Sequence, residues 1–313
     1  MKIVIIEPLG VDEEIALKEA TKALGEGVEI VYYDTRVTDT KTLIERGKDA
    51  EVVIVSNLPM NRQVIEGCKK LKMLSVAFTG IDHIAMDACR ERGITVSNCS
   101  GYSNCAVADL VFGMIFAIYR NLIACNRIVR EEGTKEGLIG YELEGKKFGV
   151  IGTGAIGQRV INIAKVFGCQ VYTYSRTPKQ IQGVKNVSKE ELLKTCDIVS
   201  LHLPLNEETK HMIGKKELQL MKEEAILINT ARGSIVNSED LADALKKGKI
   251  AGAGVDVFEM EPPIPSNHPL FGAPNLFATP HVAFATKEAL EKRAAIVFDN
   301  VKQWIKGKPV NVM

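Results

Sequence analysis

The sequence lacks an excess of charge of either sign, because 40 Lys and Arg residues stand against 39 Asp and Glu. This balance argues against nucleic acid or an anionic membrane as the main partner. It also lacks a long apolar run, since the most apolar stretch, 106–119, contains Asp109 and is shorter than the ~20 residues that span a bilayer. We expect a buried helix at that stretch.

Cysteine and histidine form no pattern that indicates a disulfide framework or a metal site. The seven cysteines are odd in number, and no C-x-x-C pair or Cys/His cluster has zinc spacing. Such scattered cysteines are typical of reduced, mostly buried thiols in a reducing compartment. We therefore expect a cytoplasmic protein that holds no metal.

The length and the order of predicted elements indicate two α/β domains. A chain of 313 residues is about twice the usual domain size. Strand-like and helix-like runs alternate throughout, which is typical of parallel sheets covered by helices. We predict two Rossmann-like, doubly wound parallel-sheet domains with a cleft between them. Residues 1–100 and 284–313 would form a flavodoxin-like domain, with the last helix packed on it, and residues 101–283 would form the other.

A glycine-rich loop at 152–157 (GTGAIG) follows an apolar strand and opens a helix. In this context G-x-G-x-x-G is specific for dinucleotide binding, whereas alone it indicates only a turn. The first glycine permits the tight turn, the second lets a pyrophosphate approach, and the third allows close packing of helix on strand. The free N–H groups of the helix favour the phosphates. We predict cofactor contacts at Gly152, Gly154, Ala155, Ile156 and Gly157.

The next strand ends in Ser175-Arg176-Thr177, and this tripeptide bears on the choice of cofactor. NAD sites usually carry Asp or Glu here, about 20 residues beyond the glycines, to bind the ribose hydroxyls. Ser175 does not repel a 2′-phosphate, and Arg176 can form paired charge-assisted bonds with one. NADP(H) is therefore favoured and NAD(H) remains possible. The alternative is that Arg176 points into water.

Several separated motifs resemble the signatures of the D-isomer-specific 2-hydroxyacid dehydrogenases. They are NTARG at 229–233, GVDVFEMEPP at 254–263, TPH at 279–281, LHLP at 201–204 followed by TKHMI at 209–213, and FTGIDH at 78–83. The resemblance covers nearly the whole chain. It implies an oxidoreductase that reversibly transfers a hydride between NAD(P)H and a small 2-oxo acid, giving the D-2-hydroxy acid. Residues 1–100 with 284–313 would then be the substrate domain, and 101–283 the NAD(P)-binding domain.

The resemblance implies a catalytic triad whose residue types suit this chemistry. The Arg232 guanidinium would grip the substrate carboxylate and polarise the carbonyl. The His281 imidazole could donate a proton in reduction and accept one in oxidation. Glu261 would fix the tautomer of that imidazole. Singly, each has a plainer interpretation: a strand-end cap, a solvated acid and a hydrogen-bonded core histidine.

The same resemblance assigns further contacts to the cofactor and the substrate. Cofactor contacts would include Ser175, Arg176, Thr177, Leu203, Pro204, Thr209, Thr230, Ala231 and Asp256, together with Arg232 and His281. Substrate contacts would be the backbone N–H groups of Thr79 and Gly80, the side chains of Asn57 and Phe284, and Arg232.

The substrate and the assembly are less constrained by the sequence. Family members that act on phosphoglycerate place a basic residue near Asn57 and often add a regulatory domain, so that substrate is disfavoured here. Glyoxylate, hydroxypyruvate, pyruvate and larger aliphatic 2-oxo acids stay open.

A dinucleotide-sensing corepressor on the same fold is the alternative function. We expect a homodimer with helix 106–119 in an apolar interface, unless that helix is buried within its own chain.

Overall fold

The computed structural model describes residues 1–25 and 27–313. It divides into two compact units, one made of Met1–Ser103 with Ala285–Met313 and the other of Asn104–Phe284. Each unit contains its own parallel β-sheet.

The first unit is built on a five-stranded parallel sheet in the order β2-β1-β3-β4-β5. All four residues of the third and fourth strands are buried, as expected for strands covered on both faces by helices. The strands are β1 (Lys2–Ile5), β2 (Glu29–Tyr32), β3 (Val52–Val55), β4 (Met73–Val76) and β5 (Thr95–Ser97). The helices are α1 (Glu13–Leu24), α2 (Thr40–Gly47), α3 (Arg62–Gly67), α4 (Met86–Glu91) and α11 (Lys287–Ile305).

The final helix belongs to this unit, where it packs on α1 and β4. Two buried hydrogen bonds fix it: Ser75 Oγ donates to Val297 O at 3.0 Å and Asn300 Nδ2 donates to Asn98 O at 2.9 Å. The C-terminal residues then form an antiparallel bridge between Ser97 and Val312. The end of the chain thus stabilises the first sheet.

The second unit is built on a seven-stranded parallel sheet in the order β12-β11-β10-β9-β6-β7-β8. Its strands are β6 (Lys147–Ile151), β7 (Gln170–Tyr174), β8 (Val184–Asn186), β9 (Ile198–Leu201), β10 (Ile226–Asn229), β11 (Gly252–Val255) and β12 (Leu276–Ala278). Its helices are α5 (Asn104–Tyr119), α6 (Leu122–Arg130), α7 (Ala155–Val166), α8 (Lys189–Thr195), α9 (Lys215–Leu220) and α10 (Ser238–Lys246). The order is that of doubly wound dinucleotide-binding sheets.

These two sheets confirm the predicted fold class of two Rossmann-like units with parallel strands. In each sheet the chain winds outward in one direction and then crosses to the other side. The switch lies between β1 and β3 in the first sheet and between β6 and β9 in the second. Ligands of open α/β sheets bind at the carboxyl ends of strands beside such a switch.

Helix α5 buries most of its apolar surface inside the second unit. Eight of its 16 residues are buried, and it packs on α7 and β11. Only Cys105, Asp109 and Gly113 are exposed along it. Its composition is therefore explained largely by its own chain, which was the alternative to a role in an interface. No single helix among the described residues is long and apolar enough to cross a membrane; α5 and α6 pass that test only as a pair bent by 54°.

Candidate active site

The glycine loop has room for a ligand at one position and none at two others. Gly152 has φ +98°, and a Cβ there would lie 2.2 Å from His202 O. A Cβ on Gly157 would lie 2.0 Å from Gly152 O, so neither site admits a side chain. A Cβ on Gly154 would meet nothing within 4 Å, and this glycine precedes α7 with no side-chain cap. The open space beside uncapped N–H groups fits a pyrophosphate.

The residues after β7 form a small network beside this loop. Thr153 Oγ1 donates to Ser175 Oγ at 3.1 Å, and Ser175 Oγ donates to Thr177 O at 2.9 Å. Arg176 pairs with Glu208 at 3.3 Å, and both side chains are exposed, by 82% and 71%. An exposed pair of this kind contributes little free energy. The guanidinium can therefore leave Glu208 to bind another anion. The pairing with Glu208, 32 positions away, was not predicted from the sequence.

The loop after β9 owes its shape to Thr209. Its buried hydroxyl donates to Pro204 O at 2.7 Å and accepts from Asn206 N at 2.8 Å. The sequence assigned Thr209 to the cofactor, whereas here its hydroxyl closes the loop that carries Leu203 and Pro204. His202 contacts Ser200 Oγ through Nε2 at 2.9 Å, and burial lowers its pKa to about 4, so it is neutral near pH 7.

The turn after β10 presents Arg232. Buried Asn229 organises it, donating from Nδ2 to Arg232 O at 2.9 Å and accepting at Oδ1 from Ala231 N at 3.1 Å. Gly233 is required next, because a Cβ there would lie 1.9 Å from the Phe258 carbonyl carbon. The hydroxyl of Thr230 is buried and has no hydrogen-bond partner among the described residues. An unsatisfied buried hydroxyl at this point fits a polar ligand group.

Glu261 and His281 are in direct contact. His281 Nδ1 lies 3.0 Å from Glu261 Oε1 and 2.9 Å from Oε2, so this nitrogen faces the carboxylate. The imidazole is 15% exposed, and its residue adopts a positive φ of 57°. The Phe284 ring meets it edge to face, with centroids 5.4 Å apart. The contact between Glu261 and His281, which are 20 positions apart, was predicted from the sequence.

Asp256 shapes the segment that carries His281. It is fully buried, and its Oδ1 accepts from Thr279 Oγ1 at 2.5 Å and from Val282 N at 2.8 Å. Its Oδ2 accepts from Ala283 N at 2.9 Å, while its backbone oxygen accepts from His281 N at 2.8 Å. The sequence placed Asp256 beside the nicotinamide. Its contacts in the structure hold the segment that carries His281.

In the first unit, the structure corrects the expectation that no basic residue lies near Asn57. Arg36 Nη1 donates to Asn57 Oδ1, although the two residues are 21 positions apart. The proximity of Arg36 to Asn57 was not predicted, because only residues close to Asn57 along the chain were considered. The other substrate candidates lie after β4, where Thr79 is exposed, Gly80 is half-buried, and Asn98 Nδ2 donates to Thr79 O at 2.8 Å.

Two further histidines, His268 and His211, lie in local structural contacts or turns. His268 Nε2 lies 3.1 Å from Glu259 Oε2, and its Nδ1 accepts from Leu270 N. His211 adopts a positive φ of 51° in a turn. Within residues 1–25 and 27–313, no group of three or more His, Cys, Asp or Glu side chains is placed to hold a metal ion.

Three kinds of comparison place this site in a known context. The family model "D-isomer specific 2-hydroxyacid dehydrogenase, NAD binding domain" matches residues 112–283. A glyoxylate reductase of Thermococcus litoralis is 39% identical over 298 residues, covering 90% of this chain and 89% of that protein. A solved acyclic imino acid reductase (Bsp5), in complex with NADPH and D-Arg, has 32% identity and a TM-score of 0.91, with 100% of both chains covered.

A further relative is longer than this chain. The D-3-phosphoglycerate dehydrogenase of Methanocaldococcus jannaschii is 38% identical over 315 residues, which cover 98% of this chain. The chain spans only 58% of the length of that relative.

Proposed function

Because the chain belongs to the D-isomer specific 2-hydroxyacid dehydrogenase family, we propose that Arg232, Glu261 and His281 are the catalytic residues of its hydride transfer. The protein is an NAD(P)-dependent oxidoreductase that interconverts small 2-oxo acids and D-2-hydroxy acids. The observation that carries the residue assignment is the contact of both Glu261 oxygens with one nitrogen of His281. Arg232 follows β10 and His281 follows β12, both at carboxyl ends of parallel strands.

We assign each of these side chains a step in the reaction. When bound, the nicotinamide dinucleotide supplies the hydride to the carbonyl carbon. Arg232 binds the substrate carboxylate with its planar fork and polarises the carbonyl oxygen. Because Nδ1 of His281 is held by Glu261, Nε2 is the atom that donates a proton to that oxygen. The oxygen thus becomes the hydroxyl of the product, and the same groups run the oxidation in reverse.

The supporting residues follow from the same reasoning. The loop residues Gly152, Gly154, Ala155, Ile156 and Gly157 bind the pyrophosphate, while Leu203, Pro204, Thr230 and Ala231 border the nicotinamide half. Asp256 and Thr209 hold the segments on which those contacts lie. In the first unit, Asn57, Thr79 and Gly80 bind the substrate, and Phe284 packs beside it in the second. The first unit thereby acts as the substrate domain and the second as the cofactor domain.

For the cofactor, we infer a preference for NADP(H). Ser175 carries no charge, and Arg176 is held only by one exposed ion pair with Glu208. The solved imino acid reductase of similar fold contains NADPH. An anionic 2′-phosphate is a stronger partner for Arg176 than a solvated carboxylate, because it carries nearly two negative charges.

We also infer a cytoplasmic homodimer. Helix α6 has no buried residue, and its apolar side chains Leu122, Ile123 and Val129 are exposed by 48%, 64% and 70%. Ile139 nearby in the chain is 88% exposed. Several exposed apolar side chains within one short segment are the kind of feature that protein interfaces cover. A second copy of the chain is the proposed partner, through α6 rather than through the buried α5.

A panel of 2-oxo acids tests this function, with NADPH and NADH each followed by loss of absorbance of the reduced nicotinamide. Glyoxylate, hydroxypyruvate and pyruvate are the first substrates, and Arg232→Ala is the negative control. We expect turnover that falls by at least about 10²-fold in that variant, the loss seen when one oxyanion donor is removed. A dinucleotide-sensing corepressor, which the named relatives do not favour, would bind the cofactor without turnover.

A further inference from the structure

One buried carboxylate organises the loop after β3. Glu7, two residues after the end of β1, is only 1% exposed, and its Oε1 accepts hydrogen bonds from three successive backbone N–H groups. The donors are Ser56 at 2.8 Å, Asn57 at 3.0 Å and Leu58 at 3.0 Å. Three donors on one oxygen fix the conformation of this loop. Burial raises the pKa of Glu7, while the Leu58 N–H and the Arg36 charge oppose that rise.

The other carboxylate oxygen of Glu7 pairs with the half-exposed guanidinium of Arg36. Arg36 Nη1 lies 3.1 Å from Glu7 Oε2 and also donates to Asn57 Oδ1. Arg36 Nε and Nη2 donate to no group within the described residues. The Arg36 side chain is 45% exposed against 1% for Glu7, so the pair presents its positive end outward. Because Nη1 makes both of these contacts, the Nε and Nη2 donors of the guanidinium can bind an anion.

The position of these residues in the fold favours a ligand. Glu7, Arg36 and Asn57 follow β1, β2 and β3 respectively, on both sides of the point where the sheet order reverses. Ligands of open α/β sheets bind outside strand carboxyl ends at this point. The hydroxyl of Ser56 is also buried there and has no hydrogen-bond partner among the described residues. A structural ion pair alone does not account for that unsatisfied hydroxyl.

Building on the proposed function, we propose that Arg36 is the specificity-determining residue and binds a second anionic group of the substrate. The preferred substrates are then 2-oxo acids with a distal carboxylate or phosphate, rather than those with an alkyl side chain. In the proposed function Arg232 binds the carboxylate next to the reacting carbonyl, so we assign Arg36 to a different anionic group of the substrate. Carboxylate and phosphate both suit a guanidinium, because each can accept two parallel hydrogen bonds at once.

The experiment compares kcat/KM for matched substrates in the wild-type enzyme and in Arg36→Gln. A 2-oxo dicarboxylate and a phosphorylated 2-oxo acid are each paired with an alkyl 2-oxo acid of similar length. We expect the wild type to favour at least one anionic substrate by about 10–100-fold, the range of one charge-assisted contact. Arg36→Gln loses that preference mainly through KM, and the two anionic arms distinguish carboxylate from phosphate.

Two further variants keep the result interpretable. Arg36→Lys retains the charge without the fork and is expected to keep part of the preference. Arg90→Gln removes an exposed arginine elsewhere in the first unit and should leave the preference unchanged. An equal loss on anionic and alkyl substrates in Arg36→Gln contradicts the inference, because it indicates a purely structural role. A wild-type preference for alkyl substrates contradicts it as well.

A binding measurement separates this inference from the proposed function. Calorimetric titration with a 2-hydroxy dicarboxylate and a phosphorylated 2-hydroxy acid, each in the presence of oxidised cofactor, needs no turnover. Binding weakened about 10-fold or more in Arg36→Gln supports the site even if no 2-oxo acid is reduced, an outcome that refutes the proposed function alone. Equal binding by the wild type and the variant overturns the assignment of Arg36.

Discussion

Glu261 contacts Nδ1 of His281 with both carboxylate oxygens, at 3.0 and 2.9 Å. This arrangement fixes the tautomer and the ring orientation of the proposed proton donor. It also places a negative charge beside an imidazole that must be protonated before reduction. The segment that carries His281 is held separately, because Asp256 accepts hydrogen bonds from Thr279, Val282 and Ala283.

The first prediction concerns that charge. In Glu261→Gln an amide oxygen can still accept from Nδ1, but the carboxylate no longer favours the protonated ring. We expect the decline in the reduction rate with rising pH to move to lower pH, with little change in cofactor binding. The pH profiles of kcat/KM for both proteins measure the shift. Glu223→Gln, an exposed acid in the same unit, is the matched control, and identical profiles would show that Glu261 is only a solvated acid.

The second prediction concerns cofactor choice. We expect the wild type to have a higher specificity constant for NADPH than for NADH, by roughly 10–100-fold if Arg176 forms one charge-assisted contact. Ser175→Asp combined with Arg176→Ala should invert the preference, because an acid repels the 2′-phosphate and binds the ribose hydroxyls. Steady-state kinetics at low and physiological salt measure both effects. Glu208→Gln alone should strengthen the preference, since it releases Arg176 from its exposed ion pair.

Equal or better use of NADH by the wild type would refute this preference. It would show that Arg176 stays in solvent and that other groups bind the ribose.

The third prediction concerns thiol reactivity. Only Cys105 is exposed and Cys125 half-buried, whereas the other five cysteines are buried. Burial raises the pKa to about 11 for Cys68, Cys89 and Cys169 and to about 12 for Cys99 and Cys196. The thiolate is the reactive form, so these five stay protonated and unreactive from pH 7 to about 9.

A disulfide reagent should therefore label two of the seven thiols quickly in the native protein and all seven after denaturation. Mass spectrometry of peptides identifies the labelled positions, and Cys105→Ser should lose one fast equivalent. Rapid labelling of Cys99 or Cys196 in the folded protein would show that the core around them opens readily.

The fourth prediction concerns assembly. Light scattering of the wild type should give about twice the chain mass of 34.3 kDa at micromolar concentration. Ile123→Asp with Val129→Asp places charge on the exposed face of α6 and should yield a monomer, because an unpaired charge at an apolar interface is costly. Ile15→Asp, an exposed apolar residue of α1, is the control. A monomeric wild type contradicts the dimer.

The sequence predicted those features in which the residue type and its neighbours along the chain determine the structure. The glycine loop is one case, because Gly152 and Gly157 admit no Cβ and their spacing is local. Helix α5 was located correctly by its apolar run, yet its composition could not tell an interface from a core, and the core accounts for most of it. Strand β8, three half-buried or exposed residues, lacks any apolar pattern and was missed.

The features that the sequence did not reveal depend on contacts between distant segments. Glu7 and Asn57 are 50 positions apart, and Arg36 reaches Asn57 from the loop after β2, which is separated from β3 by β1. Asp256 was predicted to be a site residue. Its hydrogen bonds with the backbone N–H groups of Val282 and Ala283 were not predicted from the sequence. Pairings of this kind arise from the order of strands in the sheet, which local patterns do not encode.

The most direct test of the account is single-turnover reduction of a 2-oxo acid by cofactor-loaded enzyme, comparing the wild type with His281→Ala. If Nε2 of His281 donates the proton, the rate in the variant should fall by roughly 10²–10⁴-fold, far more than any accompanying change in the affinity for the reduced cofactor. Circular dichroism confirms that the variant is folded. A reduction rate near that of the wild type in His281→Ala would contradict the assignment of His281 as the proton donor.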